Sequence, residues 1–120
     1  MKISEILARN VPSISFEVFP PKVDADFADV EHAVREIARL RPSFMSVTYG
    51  AGGGTSRYTL AIAEEIKRDF GVPTLAHLTC VCSTKELIAE RLCEFEAAKI
   101  ANNRIKAIPE KNVSLPRVET

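Results

Sequence analysis

Three short stretches of this chain hold residue types that do chemistry. The first is SFEVFPPK, Ser15 to Lys22, where one carboxylate, Glu17, sits among Phe16, Val18 and Phe19, just ahead of Pro20 and Pro21. Keeping a carboxyl group from water favours its protonated form, so a glutamate in apolar company could be held protonated near neutral pH. The plain alternative is a solvated carboxylate at the end of a strand. The second stretch is GAGGGTS, Gly50 to Ser56. A glycine loop running into a helix can hold an anion on backbone N–H groups. This one departs from G-x-G-x-x-G at Thr55 and lacks the lysine of a P-loop, so a tight strand-to-helix turn is the competing reading. The third is His77, Cys80 and Cys82, spaced H-x-x-C-x-C. On a strand the two cysteines share one face and His77 lies on the other, so the three cannot converge on a tetrahedral ion, and no metal site is expected.

These residues need elements to position them. From Ser13 the apolar period is two: Ile14, Phe16 and Val18 on one face, Ser13, Ser15 and Glu17 on the other. Pro20 and Pro21 end the strand, since they donate no ladder bonds. A short helix over residues 3–9 precedes it, with Ile3, Ile6 and Leu7 on one side. A helix from Ala25 to Leu40 follows, with Phe27, Val30, Val34, Ile37 and Leu40 as its stripe. FMSVTYG is a second strand, with Phe44, Ser46 and Thr48 on one face and Met45, Val47 and Tyr49 on the other. A helix from about Ser56 to Phe70 packs through Leu60, Ala63, Ile66 and Phe70. Gly71 suits the left-handed position after it, and Pro73 blocks its continuation. TLAHLTCV is a third strand, with His77 and Thr79 on one face. Ser83 to Glu86, STKE, reads as a capping box that opens a helix carrying Leu87, Ile88, Arg91, Leu92 and Phe95.

The order is β-α-β-α-β-α, so the strands should be parallel and the crossovers right-handed. An open doubly wound sheet and a closed (β/α)8 barrel both repeat this unit. A polar face that recurs on three successive strands favours the barrel interior. It would bring Glu17, Thr48 and His77 together at the carboxyl-end rim, where barrels place their chemistry.

Bulk composition narrows the function classes. The chain has 120 residues, enough for one domain with a core, and 46% of them are hydrophobic. Sixteen Lys+Arg balance sixteen Asp+Glu, which argues against a general nucleic-acid binder. No apolar run approaches the roughly 20 residues of a membrane span, and MKISEILARN lacks a signal-peptide core. The cytoplasm is the expected compartment, and Cys80, Cys82 and Cys93 are expected to be free thiols.

SFEVFPPK, SVTYGAGG and AHLTC, in that order at the ends of successive strands, resemble the methylenetetrahydrofolate reductase family over about residues 13–98. The resemblance implies a (β/α)8 barrel that holds FAD and reduces 5,10-methylenetetrahydrofolate to 5-methyltetrahydrofolate with NADH or NADPH, in one-carbon metabolism. It makes Glu17 the general acid that helps open the folate's five-membered ring. It places Thr48 near the nicotinamide or folate, and Tyr49, Ala51 and His77 against the flavin. It sets the glycine loop beside the flavin without a phosphate-clamping role.

Beyond residue 98 the family pattern breaks. Lys99 stands where glycine is usual, Asn102, Asn103 and Arg104 interrupt the apolar run, and no R-G-D follows. The expected fold is therefore α/β and incomplete: the first three βα units of a (β/α)8 TIM barrel over residues 1–98. A divergent polar tail, 99–120, would carry at most a weak fourth strand. Folate is the expected substrate, nucleic acid and membrane are not expected partners, and an open sheet edge invites self-association. The alternatives are a non-catalytic remnant or small α/β module without activity of its own, and, more weakly, a barrel fragment binding a phosphorylated metabolite.

Overall fold

Alternating residues set the strands, and the strands set the sheet. The computed structural model describes residues 2–49, 56–80, 83–100 and 102–106. Four strands form one sheet: β1 (Ser15–Val18), β2 (Phe44–Val47), β3 (Thr74–Thr79) and β4 (Asn102–Lys106). They lie in the order β1-β2-β3-β4, and every neighbouring pair is parallel. This order chooses between the two architectures. A doubly wound sheet reverses direction at a switch point, which sends its helices to both faces. A sheet that advances one strand at a time in one direction keeps its crossover helices on one face. The fold is an arc of a (β/α)8 barrel.

The interstrand helices are α2 (Phe27–Arg39), entered through a 3-10 turn at Asp24–Asp26, α3 (Ser56–Phe70) and α4 (Lys85–Ala97). A short α1 (Ile3–Leu7) precedes β1 and buries Ile6, while Leu7 stays exposed. Helix α3 packs on β2 and β3, and α2 packs on α3. The core forms between helices and sheet from Val34, Met45, Val47, Ile66, Leu78 and Phe95, among others. Arg35 of α2 pairs with Glu65 of α3, whose side chain is largely buried. That hydrogen-bonded carboxylate holds the Arg35 guanidinium above its ordinary pKa. The predicted stripes are sound except at Leu7 of α1 and at Leu40, which is the C-cap of α2 and is turned out to solvent.

Each interstrand helix ends on a left-handed residue: Arg41 (φ 52°), Gly71 (φ 65°) and Lys99 (φ 58°). At Lys99 the stop is a full Schellman motif. Lys99 N–H donates to Glu96 C=O (3.0 Å), Ile100 N–H donates to Phe95 C=O (2.9 Å), and Ile100 and Phe95 are both buried. Pro42 has no N–H, so α2 closes only with the inner bond, Arg41 N–H to Ala38 C=O (3.0 Å).

Two sequence expectations need correction. Helix α4 is capped one residue later than STKE suggested: Thr84, not Ser83, is the N-cap, and its Oγ1 accepts from Leu87 N–H at 3.1 Å. Ile14 and Phe16 do not join the core with Val18. They are 66% and 37% exposed, because β1 is the edge strand and the helix packing falls on β2 and β3. Asn102, Asn103 and Arg104 interrupt the apolar run without preventing strand pairing. A parallel ladder is built from backbone groups, and β4 pairs with β3 in continuous register from Leu75–Asn102 to Thr79–Lys106. The polar tail beyond residue 106 lies outside the described residues, as do Ala51, the rest of the glycine loop and Cys82.

Candidate active site

Glu17 is the third residue of β1 and lies directly opposite Ser46 of β2 in the parallel register. Opposed residues on neighbouring strands project to the same face, about 4.8 Å apart. A short serine can therefore reach a carboxylate beside it. Ser46 Oγ donates to Glu17 Oε1 at 3.2 Å. The same oxygen lies 3.3 Å from His77 Nε2 of β3. That contact is longer than a well-aligned N–H···O bond, so it is a close approach rather than a hydrogen bond. Ser46 is buried and the His77 side chain is 13% exposed, whereas the Glu17 side chain keeps 47% of its exposure. The face opposite the helices thus carries an accessible carboxylate gripped from behind by two less accessible polar groups.

The apolar enclosure suggested by Phe16 and Phe19 does not form. Phe16 alternates onto the helix-side face with Val18, and Phe19 is 66% exposed. Glu17 owes its setting to Ser46 and His77, not to its sequence neighbours.

The remaining expected site residues fall in different places. Thr48 follows β2 and is pinned on both sides: its N–H donates to Val18 C=O (3.0 Å), and its C=O accepts from Thr59 Oγ1 of α3 (2.8 Å). The β2–β3 register, extended one step past Val47–Ala76, sets His77 level with Thr48. Tyr49 lies apart from this group. It packs against the core with Met45 and Val47, on the helix side of the sheet. There it neighbours Arg91 of α4, whose guanidinium is held above its ordinary pKa, first by its hydrogen bonds to Glu94 and secondarily by Tyr49. Ala51 lies outside the described residues. Ser46 was visible in the sequence as a polar-face residue, but only the register shows that it is the partner of Glu17.

The loops at the carboxyl end of the sheet are tied together. Asp24, after β1, accepts from Arg57 at the start of α3 (2.7 Å), and Phe27 packs on Tyr58 with ring centroids 5.3 Å apart. A cavity of about 170 Å³ lined by Ile6, Val11, Pro12, Ser43 and Pro73 lies instead at the amino ends of the strands, away from Glu17. Among the described residues no group of three or more His, Cys, Asp or Glu gathers to hold a metal ion, and no helix is long and apolar enough to cross a membrane. Cys80 and Cys93 are free thiols.

Comparison with known proteins gives this geometry a family. The family model for methylenetetrahydrofolate reductase matches residues 2–105. A 5,10-methylenetetrahydrofolate reductase of Buchnera aphidicola is 39% identical over 82 residues, covering 68% of this chain and 28% of the relative. A probable methylenetetrahydrofolate reductase (NADH) of Oryza sativa is 34% identical over 101 residues, covering 84% of this chain and 17% of the relative. The 5,10-methylenetetrahydrofolate reductase of Escherichia coli is 35% identical over 74 residues, covering 62% and 25%. The chain therefore spans between about a sixth and somewhat over a quarter of these relatives' length. With the family match running from α1 into β4, the chain belongs to the methylenetetrahydrofolate reductase family.

Proposed function

We propose that this chain carries the proton-donating part of a flavin-dependent methylenetetrahydrofolate reductase site, with Glu17 as the general acid. The observation that supports it most is the joint grip of Ser46 and His77 on one oxygen of an otherwise accessible carboxylate. Reduction of 5,10-methylenetetrahydrofolate needs the bridging carbon as an iminium ion, and the ring nitrogen leaves poorly unless it is protonated. Glu17, held at the carboxyl-end rim, delivers that proton as the carbon–nitrogen bond breaks. FAD, when bound, supplies the hydride, and NADH or NADPH replenishes it.

The residues present fit one side of such a group. Half-buried Phe44 and Leu75 share the face of Ser46 and His77, giving a mixed apolar and polar surface that suits a flat heteroaromatic ring. Thr48 and His77 would lie against the flavin or the substrate. Tyr49 and Ala51 remain flavin contacts by family resemblance, and for Tyr49 this requires its backbone rather than its core-packed ring. Residues 99–120 form a divergent segment in this reading, and the cytoplasm is its compartment.

A second reading, a chain without activity of its own that associates through the open β1 edge, draws support from exposed Ile14 and Phe16. A chimera separates the two. Residues 13–98 replace the matching segment of the Escherichia coli relative, and formation of 5-methyltetrahydrofolate is measured. Turnover supports the catalytic reading; a folded, flavin-loaded chimera without turnover favours the second.

A further inference from the structure

We infer that Ser46 is the positioning residue of this site. Together with His77 it immobilises Oε1 of Glu17, so that Oε2 is the oxygen presented to a ligand. The inference rests on the reading of Glu17 as the acid, but its geometry stands on its own. Both contacts to the carboxylate, Ser46 Oγ at 3.2 Å and His77 Nε2 at 3.3 Å, fall on Oε1, and among the described residues Oε2 receives none. The two groups come from the two strands that follow β1, so both approach from the same side.

A glutamate has three side-chain torsions, and ordering it costs rotamer freedom unless contacts offset the loss. At 47% exposure, packing does little of that ordering for Glu17. The hydroxyl of Ser46 can do it, because Ser46 is itself buried at 8% exposure and fixed in the middle of the ladder. The arrangement also has a chemical consequence. Ser46 donates to Oε1 and His77 Nε2 lies close against the same oxygen, so a proton carried by Glu17 resides on Oε2, the oxygen left without a contact among the described residues. Ser46→Ala would leave the strand intact and remove the hydrogen bond on which this asymmetry rests.

The test is made on the full chain by NMR, with Glu selectively labelled, reading three-bond couplings about χ1 and χ2 of Glu17. In the unsubstituted chain these should lie near the limits of one staggered rotamer. In Ser46→Ala they should average toward the values of a free glutamate. Ser46→Thr, which keeps a γ-hydroxyl and suits a strand, should restore the single rotamer. Amide spectra away from β1 and β2 report that each variant is folded. Averaged couplings in the unsubstituted chain, or couplings that Ser46→Ala leaves unchanged, would overturn the inference, and neither depends on which variant is most stable. The couplings are read without turnover. A chimera that folds but fails to reduce folate would therefore count against the functional reading while this test still decides the role of Ser46.

Discussion

Lys99 sits at φ 58° in the Schellman stop of α4, and that conformation sets up a stability test whose sign is known in advance. For a residue with a Cβ the left-handed region costs about 1–2 kcal/mol. Glycine avoids that cost but loses more backbone freedom on folding, by about 0.5–1 kcal/mol. Lys99→Gly should therefore stabilise the chain by about 0.5–1 kcal/mol, or about 2–4 °C in Tm for a domain of this size. Nothing is lost in exchange: the two bonds of the motif are backbone bonds, and the Lys99 side chain is exposed. Gly71 provides the converse. Its φ is 65°, and a Cβ built there would meet no heavy atom within 4 Å, so Gly71→Ala has no steric clash to confuse the result. It should destabilise by about 1 kcal/mol through conformation alone. Urea unfolding followed by circular dichroism measures both variants. If Lys99→Gly lowers the midpoint, or Gly71→Ala leaves it unchanged, the backbone argument is wrong.

Other outcomes follow from single contacts. Thr84→Ala removes the N-cap of α4 and should cost about 1 kcal/mol, whereas Ser83→Ala should cost little; thermal melts of the pair locate the cap. Thr59→Val keeps the shape of a fully buried side chain but leaves the Thr48 carbonyl without its 2.8 Å donor, so a loss of about 1–3 kcal/mol is expected in the same unfolding assay. The isolated chain should bind FAD more weakly than micromolar, because the described rim walls only one side of a ring and leaves Glu17 half exposed; titration by flavin fluorescence quenching reads the affinity.

The sequence carried the repeating unit well, since periods of two and of three to four residues report which face each element buries. The left-handed stop at Gly71 and the shared face of Glu17 and His77 were legible for that reason. What escaped is set by longer-range pairing. Register between β1 and β2 is a tertiary fact, so Ser46 could not be singled out as the partner of Glu17. Edge position is another, and it leaves Ile14 and Phe16 exposed despite a sound apolar alternation. Strand β4 reads as weak in the sequence because its side chains are polar, and side-chain type reports faces while the ladder is made by backbone groups. The cap of α4 moved from Ser83 to Thr84 because two adjacent hydroxyl residues offer nearly equal caps, and the backbone decides between them.

The most direct test of Glu17 as the acid separates the two half-reactions in the chimera that carries residues 13–98. Stopped-flow absorbance follows flavin reduction by the nicotinamide, and then flavin reoxidation by 5,10-methylenetetrahydrofolate, in the chimera and in its Glu17→Gln variant. Glutamine keeps the size of the side chain and an acceptor for Ser46 but has no proton to give at neutral pH. The account predicts that the first step proceeds at an unchanged rate, while the second falls by about 100-fold or more. Equal loss in both steps, or an unimpaired folate step, would contradict it.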